Sequence, residues 1–177
     1  VYTGHYWNSF GNTVDLKRDA QTFLSIIESN KGIIYKVANS YCRDEENRKD
    51  LIQEIIVQLW LSFDKYDETY KLSTWMYRIA LNVSISFYRK ENRRGEINHP
   101  LPDTIIYLRD DPGESDNDVA RLHQFIKELK EIDRAVIILY LEENNQQEIA
   151  DILGLTVTNV STKVSRIKQQ LKQKFST

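Results

Sequence analysis

The sequence predicts an all-α protein: two small helical domains joined by an acidic flexible linker, the second domain containing a helix-turn-helix. Three observations predict it. Apolar residues recur at three- and four-residue spacing over long stretches, the period of a helix with one buried face. Helix breakers are scarce, and all three prolines fall between residues 100 and 112. Near the C-terminus, a short apolar-faced segment, a glycine and a threonine follow one another as in a helix-turn-helix.

A length of 177 residues permits two small domains. Residues 1–15 are aromatic and polar without a clear period and form a leader with no assignment. Residues 16–95 read as the first helical domain, 96–118 as the linker and 119–177 as the second domain. The linker region holds Asp103, Asp110, Asp111, Glu114, Asp116 and Asp118 against Arg109 alone. Arg89, Lys90, Arg93 and Arg94 lie before it, with Glu91 among them. Lys163, Arg166, Lys168, Lys172 and Lys174 lie after it, with no acid beyond residue 155. Two basic patches around an acidic stretch suit a polyanion held at two places. Solvated helix faces account for the same charges.

No apolar run approaches the roughly 20 residues that span a membrane. The N-terminus lacks the pattern of a secretory signal. Cys42 is the only cysteine, so no internal disulfide forms, and a reducing cytoplasm fits that count.

In the first domain, Asp50 to Trp60 reads as a strong helix. Ile52, Ile55, Ile56, Leu59, Trp60 and Phe63 project to one core face. Asp50, Glu54, Val57, Gln58 and Leu61 project to the other. Aliphatic residues among carboxylates on an outer face suit a partner protein. A second helix covering Val57 and Leu61 internally is the alternative. A polar loop with Tyr66 and Tyr70 follows. Those rings either stack an unpaired base or pad the domain surface. The next helix, capped by Ser73 or Thr74, is apolar around most of its circumference. Arg78, Asn82 and Arg89 form one narrow polar stripe that runs on into Lys90, Arg93 and Arg94. Such an edge suits DNA; of its members, Arg78 is the one that reads as structural.

In the second domain, Val119, Leu122, Phe125, Ile126, Leu129 and Ile132 mark an amphipathic helix. Asp133 is positioned to cap another through Tyr140, and Glu142 to Asn145 end it. Ile149, Ala150, Ile152 and Leu153 give a short helix one buried face. Gly154 supplies a turn with positive φ, and Thr156 a cap. In the helix that follows, Val157, Val160, Val164, Ile167, Leu171 and Phe175 share an arc of roughly 80°. The opposite arc carries Thr158, Asn159, Thr162, Ser165, Arg166 and Gln169, with Lys163 and Lys168 beside it. Short polar groups and cations on an exposed helix suit base edges and phosphates in a major groove.

Chemistry on a substrate is not expected. His5, His99 and His123 are far apart and show no metal-ligand spacing. Cys42 has no histidine near it in sequence, and no glycine-rich loop is present to cradle a phosphate. No cofactor, metal or small-molecule substrate is therefore expected.

Three segments together resemble the bacterial sigma factors of the extracytoplasmic-function class, within the sigma-70 family. Asp50-Leu-Ile-Gln-Glu with Trp60 resembles the family's core-polymerase-binding helix. Ser73-Thr-Trp-Met-Tyr-Arg-Ile-Ala-Leu-Asn with Arg89 and Lys90 resembles its promoter-melting helix. Asp133-Arg-Ala-Val through the helix-turn-helix resembles its −35-reading domain. The resemblance covers roughly residues 16–175. It implies that Asp50, Leu51, Gln53, Glu54 and Val57 face the β′ clamp helices of core RNA polymerase. Asn82, Arg89 and Lys90, with Arg93 beyond, would contact the −10 region of promoter DNA, and the loop with Tyr66 and Tyr70 would hold a flipped base. Thr158, Asn159, Thr162, Lys163 and Arg166 would lie at the −35 element. The family also implies an anti-sigma factor as a partner. This chain departs from the family pattern at Asn144 to Gln147, where an aromatic and acids are common, and at Ser161, where a basic residue is frequent. A helix-turn-helix regulator acting without polymerase, or a sigma-like decoy that does not initiate, is the alternative.

Overall fold

The computed structural model describes residues 19–42, 44–94 and 114–176. The leader, residues 16–18 and most of the linker lie outside the described residues. Seven α-helices occur among them: α1 Ala20–Tyr41, α2 Glu45–Ser62, α3 Leu72–Arg94, α4 Glu114–Glu128, α5 Glu131–Leu141, α6 Gln146–Leu153 and α7 Val157–Phe175. A 3-10 turn, Phe63–Lys65, follows α2.

Local chemistry sets the ends of these helices. Asp19 caps α1 by accepting from the Gln21 amide at 3.0 Å. Asp44 caps α2 by accepting from the Asn47 amide at 2.8 Å, and Glu45 and Glu46 place negative charge on its first turn. Helices α1, α2 and α3 bury Ile34, Val37, Leu51, Leu59, Met76 and Leu81 among themselves. Phe23 meets Trp60 edge-on at 5.0 Å and Phe63 at 5.5 Å. Helices α5, α6 and α7 enclose a second core with Val136, Leu139, Ile149, Val160 and Ile167.

The helix-turn-helix forms as its residues predict. Asn145 and Glu148 make a reciprocal capping box at the start of α6. Gly154 ends α6 at φ 66, where a β-carbon would be strained. Thr156 caps α7 by accepting from the Asn159 amide at 3.2 Å.

Four local expectations need correction. Helix α3 starts at Leu72, so Ser73 and Thr74 lie inside it; the Lys71 carbonyl takes the first helical bond, from the Trp75 amide. A turn closed on Asp67 brings the chain into the helix that early. Helix α4 begins at Glu114, directly after Pro112 and Gly113, and so inside the expected linker. Asp133 is not a cap: α5 begins at Glu131, and the Asp133 carboxylate turns inward. Val157 is exposed rather than part of the buried arc, because α7 has only just begun there and α5 and α6 reach it first at Val160.

The two domains also pack on each other. Helix α3 lies against α5 and α6, and α1 against α4 and α5. Much of this junction is polar, which suits an interface that opens.

Candidate nucleic-acid interface

Helix α2 carries the first surface. Asp50, Gln53 and Glu54 are exposed, and Val57 and Leu61 are 49% and 52% exposed. No second helix covers Val57 and Leu61. The acidic, partly aliphatic face is therefore open to a partner. Leu51 is a correction: it is fully buried, at 0% exposure, and presents nothing to a partner. Helix α2 is flanked by both α1 and α3, so its apolar arc spans about half the circumference, from Leu51 to Trp60. Ile52, Ile56 and Trp60, expected at the centre of the core face, are its half-buried edge.

Helix α3 carries the second surface. Arg78, Asn82, Arg89 and Arg93 fall within roughly 60° of one another around it, with Lys90 about 60° beyond. Asn82, Arg89, Lys90 and Arg93 are exposed. Arg78 is tied down: it donates to the Asp151 carbonyl of α6 at 2.7 Å and lies 5.6 Å from the Tyr70 ring. It is structural, but its partner belongs to the other domain. The two tyrosines of the preceding loop separate in role. Tyr66 is half-buried, with its ring 5.1 Å from Trp75 and its hydroxyl donating to the Tyr70 carbonyl at 2.9 Å. Tyr70 is half exposed and is the ring available for stacking.

Helix α7 carries the third. Thr158, Asn159 and Thr162 are exposed on its first two turns. Lys163 and Arg166 are exposed less simply. Lys163 donates to one Asp133 carboxylate oxygen at 2.7 Å and Arg166 to the other at 2.6 Å. Asp133 is buried on α5, and the Lys163 side chain is only 21% exposed. Lys163 is thus largely committed to its own domain. Arg166 keeps an exposed guanidinium with donors to spare.

Sequence periodicity did not point to the groups that join the domains. Arg89 donates to Glu131 at 2.9 Å, and Lys71 to Glu148 at 3.2 Å. Glu142 accepts from Lys36 and, at 2.9 Å, from Tyr77. Tyr41 donates to the Glu131 carbonyl at 2.6 Å. The Glu131 carboxyl is held below the usual carboxylate range, first by its own backbone N–H and then by Arg89. Burial raises Glu142, but its bonds from Lys36 and Tyr77 outweigh that and leave it lowered. Both are therefore ionised at neutral pH. Arg134 is 2% exposed and sits between the Tyr41 and Tyr88 rings, at 5.0 and 4.9 Å. No composition or spacing rule marks any of these pairings, because each partner comes from a distant segment.

Burial pushes the Cys42 thiol up to about 12, so it stays neutral and unreactive. Among the described residues, no three or more His, Cys, Asp or Glu side chains are grouped to hold a metal ion. No helix among them is long and apolar enough to cross a membrane.

Residues 26–94 match the family Sigma-70 region 2, and residues 120–171 match Sigma-70, region 4. The chain is 28% identical over 171 residues to the ECF RNA polymerase sigma factor SigW of Bacillus subtilis, covering 90% of this chain and 91% of SigW. It is 27% identical over 144 residues to the RNA polymerase sigma factor SigV of the same organism, covering 81% of this chain and 84% of SigV. Its fold resembles the sigma factor RpoE from Bartonella quintana, solved in complex with the anti-sigma factor NepR. The TM-score is 0.64 at 20% identity, over 87% of this chain and 94% of that one.

Proposed function

The chain belongs to the sigma-70 family, as an extracytoplasmic-function sigma factor, and we propose how its surfaces divide the work of transcription initiation. It binds core RNA polymerase and directs it to promoters. Asp50, Gln53, Glu54 and Val57 on α2 form the polymerase-binding face, docked on the β′ clamp helices; Leu51 supports that face from the core. Asn82, Arg89, Lys90 and Arg93 on α3 contact the −10 region, and Tyr70 stacks an unpaired base there. Unstacking costs a few kcal/mol and is offset by that contact. Thr158, Asn159 and Thr162 on α7 read the −35 element, with Arg166 on its phosphates and Lys163 in a supporting position.

The observation that carries this division is the exposed face of α2. A regulator that bound operators alone, or a decoy, would leave its open Val57 and Leu61 among carboxylates without a role. Matches to both regions, in family order, favour the initiating factor over either. We place its work in the cytoplasm beside polymerase. An anti-sigma factor is the further partner this reading proposes, as RpoE has in NepR.

Replacing Thr158, Asn159 and Thr162 together with Ala is expected to remove discrimination at the −35 element. The loss should be on the order of 1–3 kcal/mol for each base pair read. These side chains are exposed, so thermal stability should stay nearly unchanged. Fluorescence anisotropy against promoter duplexes selected from a genomic library checks this. Retained discrimination would move the reading surface off α7.

A further inference from the structure

The first turn of α5 sits where both DNA-facing edges meet. Asp133 holds cations of α7, and Glu131, two residues earlier, reaches the other way to Arg89 on α3. Arg89 is a cation that the proposed function places on the −10 region. A guanidinium engaged with a carboxylate has fewer donors left for a phosphate. Nor is Glu131 placed by chance. Its backbone carbonyl accepts from Tyr41, and Arg134 just beyond it is locked between Tyr41 and Tyr88 while donating to the Ser40 carbonyl at 3.0 Å. These bonds fix the backbone of the turn against the first domain, so the carboxylate arrives at Arg89 preoriented. Elsewhere along the junction, Glu142 and Glu148 meet Lys36 and Lys71 in the same sense: acid from the second domain, cation from the first.

We propose that Glu131 is a built-in competitor for nucleic acid: its carboxylate occupies Arg89 when the two domains are packed together, and a DNA phosphate must displace it. The inference rests on the placement of Arg89 at the DNA. It adds that the free chain restrains its own −10 surface, and that this restraint ends when the domains part.

The test is a double-mutant cycle on the full chain with E131Q and R89Q. The probe is a labelled mixed-sequence single strand of about 20 nucleotides, titrated over a range of salt concentrations. E131Q retains the backbone carbonyl that Tyr41 uses, so the fold should persist; an unchanged thermal midpoint checks it. Removing an exposed ion pair of this kind should tighten binding about two- to fivefold. The slope of log affinity against log salt should steepen by roughly 0.7, for one more cation on phosphate. In the R89Q background, E131Q should change neither. Equal affinity and slope in wild type and E131Q, with DNA bound by both, would overturn this inference alone. A wild-type chain that binds no strand at any salt would overturn the DNA placement of Arg89 as well.

Discussion

Replacing Arg134 with Ala is expected to cost on the order of 2–4 kcal/mol of folding stability. Arg134 is buried, and its guanidinium donates to four carbonyls: Ile126 at 3.2 Å, Lys127 at 2.5 Å, Leu129 at 2.9 Å and Ser40 at 3.0 Å. Three of these lie at the C-terminal end of α4 or just past it, where helix carbonyls lack partners of their own. The fourth is in the other domain. Truncation leaves all four unsatisfied and empties the space between two tyrosine rings. Each buried acceptor left alone costs about 1–3 kcal/mol, and water entering the gap keeps the sum well below four times that. For a chain of this size the thermal midpoint should fall by about 6–12 °C. Arg134→Lys should rescue little, since one ammonium cannot span carbonyls that a planar fork reaches. A fall of less than about 2 °C in a thermal scan would contradict this account of the junction.

The second large effect separates two neighbours on α2. Leu51→Ala should lose about 2–5 kcal/mol by leaving a cavity in the first core. Val57→Ala, one and a half turns on, should change stability by no more than about 0.5 kcal/mol. Polymerase affinity should show the reverse order once measured at a temperature where both variants are folded. Urea unfolding and co-purification with core polymerase read the two quantities separately. If Leu51→Ala unfolds like wild type, its burial does not carry the core.

What was legible in the sequence was local. Gly154 and Thr156 announce the helix-turn-helix because positive φ and capping depend on one or two residues. The outer face of α2 is legible because period alone sorts Glu54 and Val57 from Ile55 and Leu59. The inner face was misjudged: projection centred it on Ile52 and Ile56, whereas a helix held by two neighbours buries a wider arc that includes Leu51. Asp133 shows the other limit. A carboxylate near a helix start reads as a cap, yet its partners lie 30 and 33 residues on, beyond any local rule. Arg134 and Ser40 are 94 residues apart, so a junction built on that pair is invisible before the chain is folded. The DNA-facing edges follow the same division: Thr158, Asn159 and Asn82 stand where projection puts them, but the state of Lys163 and Arg89 depends on acids that only packing delivers.

The most direct test of the central claim is run-off transcription with purified bacterial core RNA polymerase on a mixed genomic promoter library. The wild-type chain should yield specific transcripts. Asp50→Lys with Glu54→Lys should abolish them, while leaving thermal stability and binding to selected duplexes intact, because both side chains are exposed on α2 and far in sequence from the α7 reading face. Specific transcripts that persist at wild-type level in the charge-reversed variant would contradict the assignment of the α2 face, and a wild-type chain that produces none would contradict initiation itself.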